Sequence, residues 1–221
     1  MPRTVRPARL LFAVLGAVAL GALTAAEAHA DTVARPPNVS EPGDSGLRLS
    51  ITQQVARVSP SLAANGAGRV AWLSAHVTVN APHLIAKAAD PNNGPLGEST
   101  LPGSNGTAWT GGAATFSVGY IIGCQVGVGS LSIGGSTTLS ASAEALTGSL
   151  SVPLTPGAVN YVLIDYKNLS KSGDYVIDYR DFQVNIEGCG GYAQARAYAV
   201  VETGGADHQK IEAYGQPFSV G

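Results

Sequence analysis

From Cys124 to Ala143 the sequence reads CQVGVGSLSIGGSTTLSASA, without one charged side chain. Gly, Ser and Thr dominate it, a composition usual for flexible linkers. Its apolar residues nevertheless keep a period of two. Gly127, Gly129, Leu131, Ile133, Gly135, Thr137, Leu139, Ala141 and Ala143 hold the odd positions, and, after Val126 and Val128, Ser130, Ser132, Gly134, Ser136, Thr138, Ser140 and Ser142 hold the even ones. The next segment repeats this with reversed parity. Leu146, Leu150, Val152 and Leu154 share one side, and Thr147, Ser149 and Ser151 the other. A period of two is the mark of a strand, and two such strands with a short connection make a β-hairpin.

Each arm of this hairpin has one weakly apolar face and one face of small neutral hydroxyls. A strand with lipid on one side and water on the other has that pattern. A half-exposed hairpin of a soluble sandwich also alternates, but soluble sheets usually guard exposed faces and edges with Lys and Glu. Between Gln125 and Leu154 only Glu144 is charged. On pattern alone the two readings stand level. If the hairpin crosses a membrane, its sheet must close, because lipid cannot satisfy open edges. One hairpin cannot close, so the expectation is a homo-oligomer with a shared barrel. The longer arm, Val126 to Ser142, would span roughly 55 Å, or about 40 Å of height once tilted. That is more than the 9–11 residues an ordinary barrel strand needs. Pro153 and Pro156, which cannot donate to a ladder, shorten the second arm. A turn near Ser140 would match the arms better, but a turn containing Glu144 is preferred because it leaves the carboxylate in water.

The chain begins with Arg3, Arg6 and Arg9, then an uncharged run from Leu10 to Ala26, then Ala28-His29-Ala30. This order describes a secretory signal peptide over residues 1–30, cleaved after Ala30, rather than a membrane anchor. Removing three Arg and one Glu with it moves the formal charge from −2 to −4. An acidic balance argues against nucleic acid as a partner. The two cysteines, Cys124 and Cys189, in an exported chain most simply form one disulfide. Metal binding is the lesser option, because His76, His83 and His208 lack ligand spacing. A disulfide closing a loop of some 65 residues would restrict the unfolded chain by roughly 4 kcal/mol on the entropic account.

Residues 31–46 are rich in Pro and polar residues and read as a flexible lead-in. Gly43 to Gly46 spells GDSG, a nucleophile motif of trypsin-like proteases. That fold needs its His and Asp upstream of the Ser, and the only upstream His is His29, in the leader. From Leu47 onward the character is β. Leu47, Leu49 and Ile51 alternate with polar neighbours, and strands are expected at Arg69–Asn80, Thr115–Cys124, Ala158–Asp165, Phe182–Glu187 and Tyr192–Glu202. Asp90–Gly112 reads as a loop. The predicted fold is mainly β: a sandwich divided between residues 47–124 and 157–221, with the hairpin at 125–156 between them. No GxSxG, metal-spaced His cluster or phosphate loop points to an enzyme, and the glycines of GVGSLSIGG precede no helical pattern.

Several stretches resemble the MspA family of mycobacterial-type porins. NGAGRVAWLSAHVTV (Asn65–Val79) is similar to an early strand of that family, FSVGYIIGCQVG (Phe116–Gly127) to the approach to its stem, and LTPGAVNYVLID (Leu154–Asp165) to the return. ARAYAVVETGGADHQKIEAYGQPFSV (Ala195–Val220) is similar to its C-terminal strands and is the most specific of the four. The resemblance implies a goblet: a β-sandwich rim per subunit and an octamer whose sixteen stem strands cross the mycolic-acid outer membrane of actinobacteria. It implies passive diffusion of small hydrophilic solutes and needs no cofactor. Carried over, Ser130, Ser132, Ser136, Thr138, Ser140, Ser142, Thr147, Ser149 and Ser151 would line water. Leu131, Ile133, Leu139, Leu146, Leu150 and Val152 would face lipid, and Glu144 would be the constriction charge. The chain departs from the family in having one Glu where members carry several tip aspartates, and in having the cysteine pair. The alternative is a secreted or surface-attached β-sandwich binding protein that forms no pore.

Overall fold

The computed structural model describes residues 31–60, 68–89, 110–126, 150–153, 157 and 159–221. Eleven strands form two sheets: β1 Thr32–Ala34, β2 Val39–Pro42, β3 Arg48–Pro60, β4 Arg69–Ala81, β5 Ala114–Cys124, β6 Leu150–Pro153, β7 Val159–Leu169, β8 Gly173–Glu187, β9 Ala193–Thr203, β10 Lys210–Tyr214 and β11 Phe218–Ser219. The first sheet runs β1-β3-β4-β8-β6, with β2 also on β3. The second runs β10-β9-β5-β7, with β11 on β9. All pairings are antiparallel except β6 on β8, which is parallel. The protein is mainly β, as its alternation predicts.

The core lies between the sheets. From the first come Leu49, Ile51, Leu73, Val77, Val79, Val184 and Ile186; from the second come Phe116, Val118, Tyr120, Ile122, Ala199 and Val201, all buried. Tyr120 stands edge-on to both Tyr179 and Phe218, with ring centroids 6.3 Å and 6.2 Å away. Burial without a strong acceptor pushes the Tyr120 phenol up to about 12, partly offset by the Tyr179 hydroxyl 3.3 Å away. Burial also raises Tyr179.

The strands outrun what alternation shows, because two of them change parity. In β3 the buried set shifts from odd (Leu49, Ile51) to even (Ala56, Val58) across Gln53, whose φ is +53°. In β8 it shifts from Ile177 and Tyr179 to Val184 and Ile186 across Asp181, with φ +49°. The register breaks at both places, opposite Ser74 and Ala75 of β4. An extra residue in one strand flips its faces and bends the sheet. The Asp181 amide donates to Ser74 Oγ at 2.9 Å, which holds the second bulge. A strand starting at Phe182 is therefore only the second half of β8.

The lead-in expectation is corrected. Within 31–46, β1 and β2 pair with β3, and a 3-10 turn follows at Asp44–Gly46. The prolines mark strand ends rather than flexibility: Pro42 closes β2, while Gln54 Nε2 donates to the Pro37 carbonyl at 2.7 Å. Residues 1–30, with the leader and its Ala28 and Ala30, lie outside the described residues, as does most of the expected loop at 90–112.

Candidate functional site: the root of the hairpin

The segment expected as a hairpin departs from one end of the sandwich. β5 runs to Cys124 and β7 resumes at Val159, and the two are antiparallel neighbours, with Gly123 opposite Val159. The segment between them thus begins and ends at neighbouring strands of one ladder. The next regular rung would join Cys124 to residue 158. Instead the Gly157 amide donates to the Cys124 carbonyl at 3.1 Å. Gly157 has φ +71°, the left-handed region that glycine tolerates. A left-handed glycine where two residues face one is a G1-type bulge. A regular ladder carried on from this bond would be offset by one residue on the return side.

A covalent tie sits at the same end. Cys124, the last residue of β5, forms a disulfide with Cys189, with Cα atoms 5.9 Å apart. Cys189 follows the end of β8 at Glu187, so the bond joins the second sheet to the first at the root. Backbone bonds reinforce it. The Gln125 amide donates to the Tyr192 carbonyl at 2.9 Å, and the Gly190 amide to the Val126 carbonyl at 3.1 Å. Both cysteines are buried.

Three expected stem residues are placed elsewhere in the single chain. Leu150, Ser151 and Val152 belong to β6, whose backbone pairs with Val184, Asn185 and Ile186 at the edge of the first sheet. Pro153, unable to donate, closes that edge strand. Ser130, Ser132, Ser136, Thr138, Ser140, Ser142, Thr147, Ser149, Glu144, Leu131, Ile133, Leu139 and Leu146 lie outside the described residues.

Sequence reasoning missed a shallow groove beside the root, on the outer face of the second sheet. Ile121, Gly123, Val159, Tyr192, Arg196 and Pro217 line it. Val159 and Tyr192 are about half exposed, at 53% and 50%. The Arg196 guanidinium lies 4.6 Å over the Tyr214 ring. Exposed apolar residues scattered in sequence leave no periodic signal, so this grouping is visible only once the strands are aligned.

Among the described residues no group of His, Cys, Asp and Glu could hold a metal ion. None of their helices is long and apolar enough to cross a membrane, which says nothing of a β-barrel.

A two-sheet sandwich that sends out and takes back a long uncharged segment at one end has the form of a porin rim. The MspA family model matches residues 97–219, more than half of the chain. The chain belongs to the MspA family. That family consists of oligomeric outer-membrane porins and is not enzymatic, and the chain is a porin-type protein. No curated protein matches it. The family match begins at residue 97, yet β1 to β4 lie before it and build most of the first sheet.

Proposed function

We propose that several copies of this chain, exported after cleavage at Ala30, form a ring in which each copy contributes the hairpin of residues 125–156. The hairpins close one barrel through a mycolic-acid outer membrane and admit small hydrophilic solutes and ions by passive diffusion. An octamer is the family's assembly. One observation carries this reading: the uncharged alternating segment lies between Cys124 and Val159, adjacent ends of the antiparallel neighbours β5 and β7 at one end of the sandwich.

The bulge at Gly157 supports the reading in detail. Without it, the ladder that pairs Gly123 with Val159 would set Leu131 against Ser151 and mix the faces. The one-residue shift at Gly157 sets Leu131 opposite Leu150, Gly129 opposite Val152, Ser130 opposite Ser151 and Ser132 opposite Ser149. Every apolar residue in these pairs then meets an apolar or Gly partner, and every serine a serine. The tip falls at Ser140 and Ala141 rather than at Glu144, and arms of about 15 residues reach roughly 35 Å once tilted.

In this register Ser130, Ser132, Ser136, Thr147, Ser149 and Ser151 line water, with Thr138, Ser140 and Ser142 at or near the tip. Leu131, Ile133, Leu146, Leu150 and Val152 face lipid, and Leu139 flanks the tip. Glu144 lies on the return arm close to the tip, on the parity of Leu146 and Leu150 rather than of the serines, so one carboxylate per copy rings the mouth of the barrel from its outer side. Residues 150–153 must leave the edge of β8 to join this ladder, so β6 exchanges partners on assembly.

Single-channel recording of the purified mature protein in a planar bilayer tests the proposal. Uniform, stable current steps are the expected result. A compact, detergent-free monomer that gives no steps would instead identify a secreted or surface-attached β-sandwich binding protein.

A further inference from the structure

We infer that the groove beside the root is a lipid-contact surface: the foot by which each rim rests on the headgroup layer of the bilayer. The inference rests on the porin reading above and names a partner for a surface outside the stem. Val159 and Tyr192 are two of the six large hydrophobic residues exposed among the described residues, and they share one groove with Ile121. No carboxylate lines that groove; its one charge is Arg196. The Arg196 Nε is buried without a hydrogen-bond partner, and its guanidinium is stacked on Tyr214. Tyrosine with an apolar body and a polar tip, beside an arginine able to meet phosphate, is the chemistry of a membrane–water boundary.

Strand parity points to the same partner. Ile121 and Gly123 hold odd positions of β5 on the groove side, while Ile122 and Cys124 point into the core. On the porin reading the register break near the root lies on the return side, and β5 continues into the outgoing arm with its faces unchanged. The groove face therefore runs on into Gly127, Gly129, Leu131 and Ile133, the face assigned to lipid. The core face runs on into the serines.

Width supplies the third argument. Two stem strands per copy occupy about 10 Å of a barrel's circumference. The rim sheets have five and six strands, so rims packed around such a stem must overhang it. The underside of the overhang, next to the stem's lipid face, is this groove.

The test uses vesicles and planar bilayers of diphytanoyl phosphatidylcholine, with nitroxide-labelled lipid added to the vesicles. In channel-active vesicles, a Tyr192→Trp variant is expected to show quenching beyond that of the wild-type tryptophans. A headgroup label should quench it more strongly than a label at the chain end. A Val159→Asp/Tyr192→Asp variant is expected to insert channels roughly tenfold less often, with unchanged unitary conductance and an intact oligomer in detergent. No added quenching in vesicles whose channels open would overturn the inference and leave the porin reading standing. Loss of the detergent oligomer in the double variant would also overturn it, by assigning the groove to contact between copies. A wild-type chain that neither oligomerises nor conducts would overturn both readings.

Discussion

β4 and the Val126–Ser142 segment obey the same rule of sequence and differ in the chemistry of their second face. Both alternate with a period of two. In β4 the inward set, Ala71 to Ala81, is buried, and the outward set includes Trp72, Ser74, His76 and Asn80. That outer face is tied into charged neighbours. Arg57 stacks on Trp72 at 4.3 Å, His76 sits 3.9 Å from Asp178, and Asn80 Nδ2 bonds Asp174 Oδ1 at 2.5 Å. From Ser130 onward the second face of the outgoing arm carries only hydroxyls and Gly134. Periodicity thus says that a segment is a strand, while the chemistry of the second face says what that strand meets. Charges suit bulk water; small neutral hydroxyls suit a face that must line water inside a closed wall.

The sharpest way to break this comparison is Leu131→Arg. A lipid-facing arginine costs ~2–4 kcal/mol near the bilayer centre, and the cost recurs in every copy. Loss of channels and of the detergent-stable oligomer is expected, with the rim still folded by circular dichroism. Normal channel yield would mean that the two faces are exchanged.

Next comes the covalent tie at the root. Cys124→Ser/Cys189→Ser removes a link across 65 residues, worth roughly 4 kcal/mol to the isolated rim on the entropic account. Denaturant melts of wild type and variant would measure it. A loss far below that would mean the backbone bonds at Gln125 and Gly190 already hold the root.

Alkali should separate the two regions in a graded way. Tyr120 ionises at about 12 in the fold against 10.0 when unperturbed. Below pH 10 both states keep the proton and nothing changes. Above it the unfolded chain ionises first, so rim stability falls as pH rises from 10 toward 12. The loss is roughly 2–3 kcal/mol for this group. The hairpin segment has no tyrosine, so melts followed at pH 9 and pH 11 should differ through the rim. A Tyr120→Phe variant should flatten the slope.

The smallest expected effect is that of Glu144→Lys. A ring of carboxylates near the tip favours cations, and reversing it should shift the reversal potential toward anions. A potential that does not move would remove Glu144 as the selectivity residue.

Much of this was legible in the chain. The hairpin pattern, the β class and the cysteine pair follow from parity, propensity and compartment. The root was less legible. A bulge erases alternation locally, as at Gln53 and Asp181, so β3 and β8 read as half their length. Ile121, Val159 and Arg196 lie on three different strands and Tyr192 just before the last of these, and no window of sequence holds them together.

By itself the sequence determined that residues 124–154 alternate with a period of two and carry one charge, Glu144, because both are local properties. It determined the partners of neither face. Only the tertiary structure decided that β5 and β7, which flank the segment, are neighbours in one ladder, that the Gly157 amide reaches the Cys124 carbonyl, and that Cys124 is fastened to Cys189 beside it. Register and cross-links join residues distant in sequence, and they are set by which strands pack together, not by any one strand's pattern.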